Sequence, residues 1–294
     1  MLNGSRTKIS PMPGETPPIW YEKWQKILTA YFKVPANVPL YFQALDENHM
    51  ELRRMRTFIT FHPEVRGCTG CHETRDEAPL TLHRVPHAVR REASLPMPPS
   101  WDDQVLPDYE EHIQPIISKN CASCHGVNNP ANGLEFSHRK IEGQYQSYRT
   151  MFGLPATDKT PVQETWSHKI VNPDNSNPQK NRDALEQMER NEYPGQLLYI
   201  SNRFGDISVS QVKEFGSNAS PLTATLANDP FHQKNVNMPE QEWIDLVIWV
   251  DLNAPYWGSF VDKEPMRQNK EPLRIKVEFP EPFASNAPAS KRMD

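Results

Sequence analysis

Cys68-Thr69-Gly70-Cys71-His72 and Cys121-Ala122-Ser123-Cys124-His125 repeat one pattern, Cys-x-x-Cys-His. That pattern is the attachment signature of c-type haem. Two thiols must reach the two vinyl groups on one edge of a porphyrin, and the imidazole that follows must swing under the ring to bind iron. One short turn carrying all three does this. The chain has 4 cysteines, and the two motifs use them all, so no thiol remains for a disulfide or another metal. The expected cofactors are two covalently bound c-type haems, held through Cys68, Cys71, Cys121 and Cys124, with His72 and His125 as iron ligands.

Two other chemistries use paired cysteines. A four-thiolate zinc ribbon wants a linker of roughly 15–20 residues between its pairs. The linker here is far longer, and zinc gives no reason for a His after each second Cys. A thioredoxin-like pair sits once, at the start of a helix after a strand, not twice in loop-rich surroundings.

The whole chain, 294 residues, is long enough for a real core and for two or three small units. Its net charge of −5 gives no mark of a nucleic-acid binder. The 29 Pro against 12 Gly predict a loop-rich chain of short elements pinned by prolines. Covalent haem offsets the thin core, because each porphyrin adds a large apolar surface for short helices to pack on. No apolar run is long enough to span a membrane. Met1-Leu2-Asn3-Gly4-Ser5-Arg6 has no apolar signal core. Because c-type haem is attached after export, the expected location is periplasmic or an equivalent compartment, with the native gene encoding further N-terminal sequence or a signal already removed.

The elements that must position the motifs are short. Tyr31-Phe32-Lys33-Val34 and Leu40 to Leu45 read as strands, Asp46-Glu47-Asn48-His49 as a polar turn, and Met50 to Phe61 as a run ending in the β-prone Thr57-Phe58-Ile59-Thr60-Phe61. A hairpin or small sandwich should carry the first haem at its edge. Leu82 to His87 and Pro96-Met97-Pro98-Pro99 read as an irregular linker. Pro115 suits the first turn of a helix running to Cys121, with Ile116 and Ile117 packed near the porphyrin. Short helices are expected near Tyr145–Met151 and Leu222–Leu226. Near the end, Pro239 at a first turn, acidic Glu240 and Glu242, and a Trp243, Leu246, Val247, Val250 stripe predict a helix stopped by Asn253-Ala254-Pro255.

Distal iron ligands are open at both sites. For the second haem, His232 and Met238 both precede the terminal helix, and Met238 would raise the potential. For the first, the candidates are His62, His83 and His87, with Arg84, Arg90 and Arg91 suited to the propionates.

Several blocks resemble the hydrazine synthase α-subunit family of planctomycete-type bacteria. They are Tyr41 to Asn48 followed by Arg66 to Glu73, Ile113-Gln114-Pro115-Ile116 ahead of Cys121 to Gly126, and Trp249 to Gly258. Together they cover roughly residues 31–76 and 109–260 in the family's order. The resemblance implies a β-rich middle domain with one haem and an α-helical cytochrome domain with another. It favours His232 over Met238, since the related domain uses two histidines. It also implies a Tyr iron ligand four residues after the first motif His, where this chain has Asp76. The family's N–N bond-forming chemistry is therefore not carried over.

The expected fold class is α+β. A β-rich N-terminal unit with the first haem and a Pro-rich linker (1–107) precedes a mainly α-helical, cytochrome c-like domain with the second (108–262) and an extended tail (263–294). The expected function is electron transfer by a dihaem cytochrome, working with redox protein partners or other subunits of a multihaem complex. The alternative is a catalytic haem acting on a small nitrogen or oxygen species, and a third class is a subunit whose haems only brace a complex. A dihaem peroxidase would space its motifs much further apart.

Overall fold

The computed structural model describes residues 30–34, 36–37, 39–55, 58–67, 87–95, 99–101, 106–141, 143–154, 194–201, 211–258, 260–262 and 273–275. The first motif, Cys68 to His72, lies outside them, as do Asp76, His83 and Arg84.

The described elements are a mixture of helices and small sheets, with four short strands leading. β1 (Pro39–Leu40) pairs antiparallel with β4 (Ile59–Thr60), and β2 (Gln43–Leu45) with β3 (Glu51–Arg54). The predicted turn between β2 and β3 forms because Asp46 Oδ1 accepts the backbone N–H groups of Asn48 and Met50, each at 2.9 Å. Tyr31 to Val34 does less than a strand: Phe32 makes an isolated parallel bridge to Ser94, in the sequence region read as linker.

The second part is organised around one helical segment. Asp108 caps a π-turn, Tyr109–Ile113, with Oδ1 accepting from Glu110 N at 2.9 Å and Glu111 N at 3.2 Å. The segment continues as α1 (Gln114–Cys121), with Pro115 in its first turn as expected. Tyr109, Ile113, Ile117 and Cys121 fall four apart, share a face, and are all buried. They meet α2 (Gln146–Met151), which follows the small β5–β6 pair (Lys140–Ile141 with Gln144–Tyr145). They also meet the terminal helix α5 (Glu240–Asp251), reached through α3 (Pro221–Asn228) and α4 (Pro230–Asn235). The Tyr109 ring centroid lies 5.0 Å from Tyr148 and 5.2 Å from Trp249.

Burial on α5 is wider than the expected stripe. Every residue from Ile244 to Asp251 is buried, whereas Trp243 is half-buried and donates its indole N–H to Asn48 O at 2.8 Å. The helix ends at the predicted place, with Asn253 (φ 66°) and Ala254 (φ 47°) in the left-handed region. Beyond it, β7 (Phe260–Asp262) pairs antiparallel with β8 (Leu273–Ile275). Part of the segment read as an extended tail thus folds back as a hairpin. Among the described residues no helix is long and apolar enough to cross a membrane.

The β2–β3 hairpin docks on the helical part through a polar seam. Glu51 N donates to Ser217 Oγ at 2.9 Å, Lys213 N to Leu52 O at 2.9 Å, and Asn218 Nδ2 to Asp46 Oδ2 at 2.7 Å. At its centre the buried Arg54 binds Glu51 (Nε to Oε1, 2.6 Å) and lies over the Phe215 ring, 4.6 Å from its centroid. Gly216, at φ 78°, allows this approach: a Cβ there would stand 2.8 Å from Asp251 Oδ1 and 2.9 Å from Arg54 Nη2. Removing the guanidinium would leave buried carboxylates uncompensated. Arg54→Ala is expected to cost about 3–5 kcal/mol in denaturant unfolding, the range for breaking a buried pair. A loss of about 1 kcal/mol or less, the range for exposed pairs, would contradict this view of the seam.

Candidate functional site

The second motif begins where α1 ends. Cys121, the last residue of the helix, points into the core, and its carbonyl accepts both Cys124 N (3.2 Å) and His125 N (2.9 Å). One turn therefore carries a buried thiol, an exposed thiol and an imidazole. Gly126 lets the chain leave at once, since a Cβ there would stand 2.8 Å from Ala122 O.

The chain then loops back on His125. A short 3-10 turn, Ala131–Gly133, brings Leu134 to the imidazole, whose Nδ1 lies 3.0 Å from Leu134 O. A carbonyl only accepts, so Nδ1 carries a proton, and in the neutral ring Nε2 is the nitrogen with a lone pair. Phe136 N donates to His125 O at 2.7 Å, and the Phe136 ring lies 5.0 Å from the imidazole, centroid to centroid. The residue is clamped at both backbone and ring.

His232 is prepared in the same way from another element. Asp229 caps α4, and its Oδ2 lies 3.0 Å from His232 N and 2.7 Å from His232 Nδ1. The hydrogen bonds from His232 hold the Asp229 carboxyl below the usual range, so the carboxylate is ionised and the Nδ1 edge of the His232 ring is turned to it. Met238 is half-buried against the core cluster that contains Cys121. It precedes α5, whose first turn is tied to the end of α1: Glu242 takes Lys119 Nζ at 2.5 Å and Asn120 Nδ2 at 2.8 Å.

Cys121, Cys124 and His125 are the donor set that covalent haem attachment would use. Burial pushes the Cys121 thiol up to about 11, so it is a protonated thiol at neutral pH. Among the described residues no three His, Cys, Asp or Glu side chains converge on a metal-sized point. Haem iron needs only one or two protein ligands, the porphyrin supplying the rest. Val127 and Phe231, 57% and 65% exposed, each lie next to or within two residues of a candidate ligand, His232 or His125.

The turn brings Cys121, Cys124 and His125 together, while His232 and Met238 come from two later elements. Cys68, Cys71 and His72 lie outside the described residues. Of the first site's other candidates, His62 is exposed with Nδ1 3.2 Å from Asn37 Oδ1, and only the backbone of His87 is described, in a 3-10 turn. Arg90 is exposed, and Arg91 donates to Ser94 Oγ at 2.7 Å. Sequence reasoning passed over Asp229, although Asp-Pro-Phe-His is a legible N-cap, N1, N3 pattern. It also passed over Leu134 and Phe136, which only the Asn132-Gly133 turn foreshadows.

Residues 27–73 match the family described as hydrazine synthase alpha subunit middle domain. That stretch contains the four leading strands and runs through Cys68, Cys71 and His72. No curated protein and no solved structure matches the chain.

The two thiols of the second motif should differ sharply in reactivity. In polypeptide made without haem, iodoacetamide is expected to alkylate the exposed Cys124 at neutral pH, while Cys121 stays unmodified until the pH nears 11, as peptide mass mapping would read. Equal rates at neutral pH would contradict the placement of Cys121.

Proposed function

We propose that this chain is a dihaem c-type cytochrome that transfers electrons as a subunit of a larger redox complex in the periplasm or an equivalent compartment. The observation that carries the reading is the His125 clamp: an imidazole directly after a Cys-x-x-Cys turn, its Nδ1–H held by a backbone carbonyl and its Nε2 left to bind. Bound haem supplies a one-electron iron couple. Cys121 and Cys124 would hold one porphyrin, and Cys68 and Cys71 the other, with His72 as its proximal ligand.

His232 is the distal ligand in this reading. Its ring is oriented by Asp229, the carboxylate–histidine arrangement that fixes a metal-binding tautomer. Met238 is the alternative, half-buried just ahead of α5. With two histidines the second iron is saturated and the site passes electrons without chemistry on a substrate. The unit around it, from the π-turn to α5, is a cytochrome c-like domain on this reading. The family matched by residues 27–73 is named for a subunit, which supports a place in a complex with redox partners.

The same match favours a second reading, catalysis at the first haem on a small nitrogen or oxygen species. It runs through the whole first motif. Against it stands Asp76, at the position where the resemblance implies a Tyr ligand.

Visible spectroscopy of the native protein separates these. Carbon monoxide added to the reduced protein is expected to leave the Soret band unchanged, and the oxidised protein should show no far-red sulfur-to-iron charge-transfer band. A carbon monoxide shift at one of the two haems would favour catalysis, and a sulfur band would replace His232 with Met238.

A further inference from the structure

The loop that holds His125 is itself held by a charged brace outside the motif. Glu135 is buried, and its carboxylate accepts from Ser137 Oγ at 2.5 Å and from Arg139 twice, Nε at 3.3 Å and Nη2 at 2.9 Å. The backbone carbonyl of Glu135 accepts Thr150 Oγ1 at 2.7 Å, which fastens the loop to α2. Two more bonds follow along the same stretch, Ser147 N to Ser137 O at 3.0 Å and Gln146 N to Arg139 O at 2.8 Å. Glu135 stands between Leu134, whose carbonyl takes the imidazole N–H, and Phe136, whose N–H and ring engage His125. Burial alone would raise the Glu135 carboxyl, but the bonds from Arg139 and Ser137 outweigh it and hold it below the usual range, so the brace is ionised at neutral pH.

We propose that Glu135 is a positioning residue for His125: braced by Arg139 and Thr150, it fixes the Leu134 carbonyl against Nδ1 and so sets the reduction potential of the iron that His125 binds. A firm bond at Nδ1 makes Nε2 more electron-rich and favours ferric iron. Loosening the brace lets the carbonyl drift, weakens that donation and raises the potential. The inference rests on the haem reading of the second motif given above.

Potentiometric titration of the holoprotein tests it, with haem counted in each variant. Glu135→Gln is expected to keep two haems and to raise one of the two midpoint potentials, leaving the other in place. Thr150→Val, which carries no charge change, should raise the same couple. A shift in Glu135→Gln with none in Thr150→Val would be a plain charge effect and overturns the proposal, as do unchanged potentials in both. If Glu135→Gln does not retain haem, Thr150→Val alone decides by the same criterion. Absence of haem from the wild-type second motif would instead remove the functional reading itself.

Discussion

Tyr109, Ile113, Ile117 and Cys121 stand four residues apart on one helical face, and that face is sealed in the cluster that also holds Leu246, Trp249 and Val250. Ile113 and Ile117 each contribute on the order of 1.5–3 kcal/mol when fully buried, so the face holds α1 where it sits. The same face ends on Cys121, the first thiol of the second Cys-x-x-Cys-His motif. Core packing therefore fixes the motif as well: α1 cannot rotate or slide without moving Cys121 out of the core. Everything after it follows from that anchoring, including the turn over Cys121 O, the close exit at Gly126 and the return of Leu134 and Phe136 to the imidazole.

The N-terminal strands are not a free appendage to this arrangement. Arg54, Glu51 and Asp251 are buried where the β2–β3 hairpin meets the segment around Gly216 and the end of α5. Charges held there are costly unless mutually compensated, so the seam favours one docking geometry over many. The hairpin also lies within the stretch that is similar to the hydrazine synthase alpha subunit middle domain.

Most of the element order was legible. The Asp46 turn, the Pro115 helix start, both short helices and the stop at Asn253-Ala254-Pro255 each follow from one or two residues with a local mechanism. What escaped were features set by distant partners. Trp243 belongs to the helical stripe by spacing, but its indole serves the Asn48 carbonyl of a different element. The bridge from Phe32 to Ser94 is likewise a pairing across a long stretch of chain, for which period-two patterning gives no partner. At the site, Cys121, Cys124 and His125 were singled out by spacing, and the structure sets them on one turn. The residues that orient them, Leu134 and Glu135 on one side and Asp229 on the other, act through a carbonyl, a brace and a helix cap, and only the cap has a sequence pattern.

The central claim, that each Cys-x-x-Cys-His motif holds one haem through thioether bonds, is tested most directly by counting haem on the denatured polypeptide. Intact mass and the pyridine haemochrome of the native protein, taken after acid extraction of loosely bound pigment, are expected to give two haems per chain, and one per chain in a Cys121→Ala, Cys124→Ala double variant. Haem that extracts into the solvent, or a polypeptide carrying zinc in its place, would contradict the account.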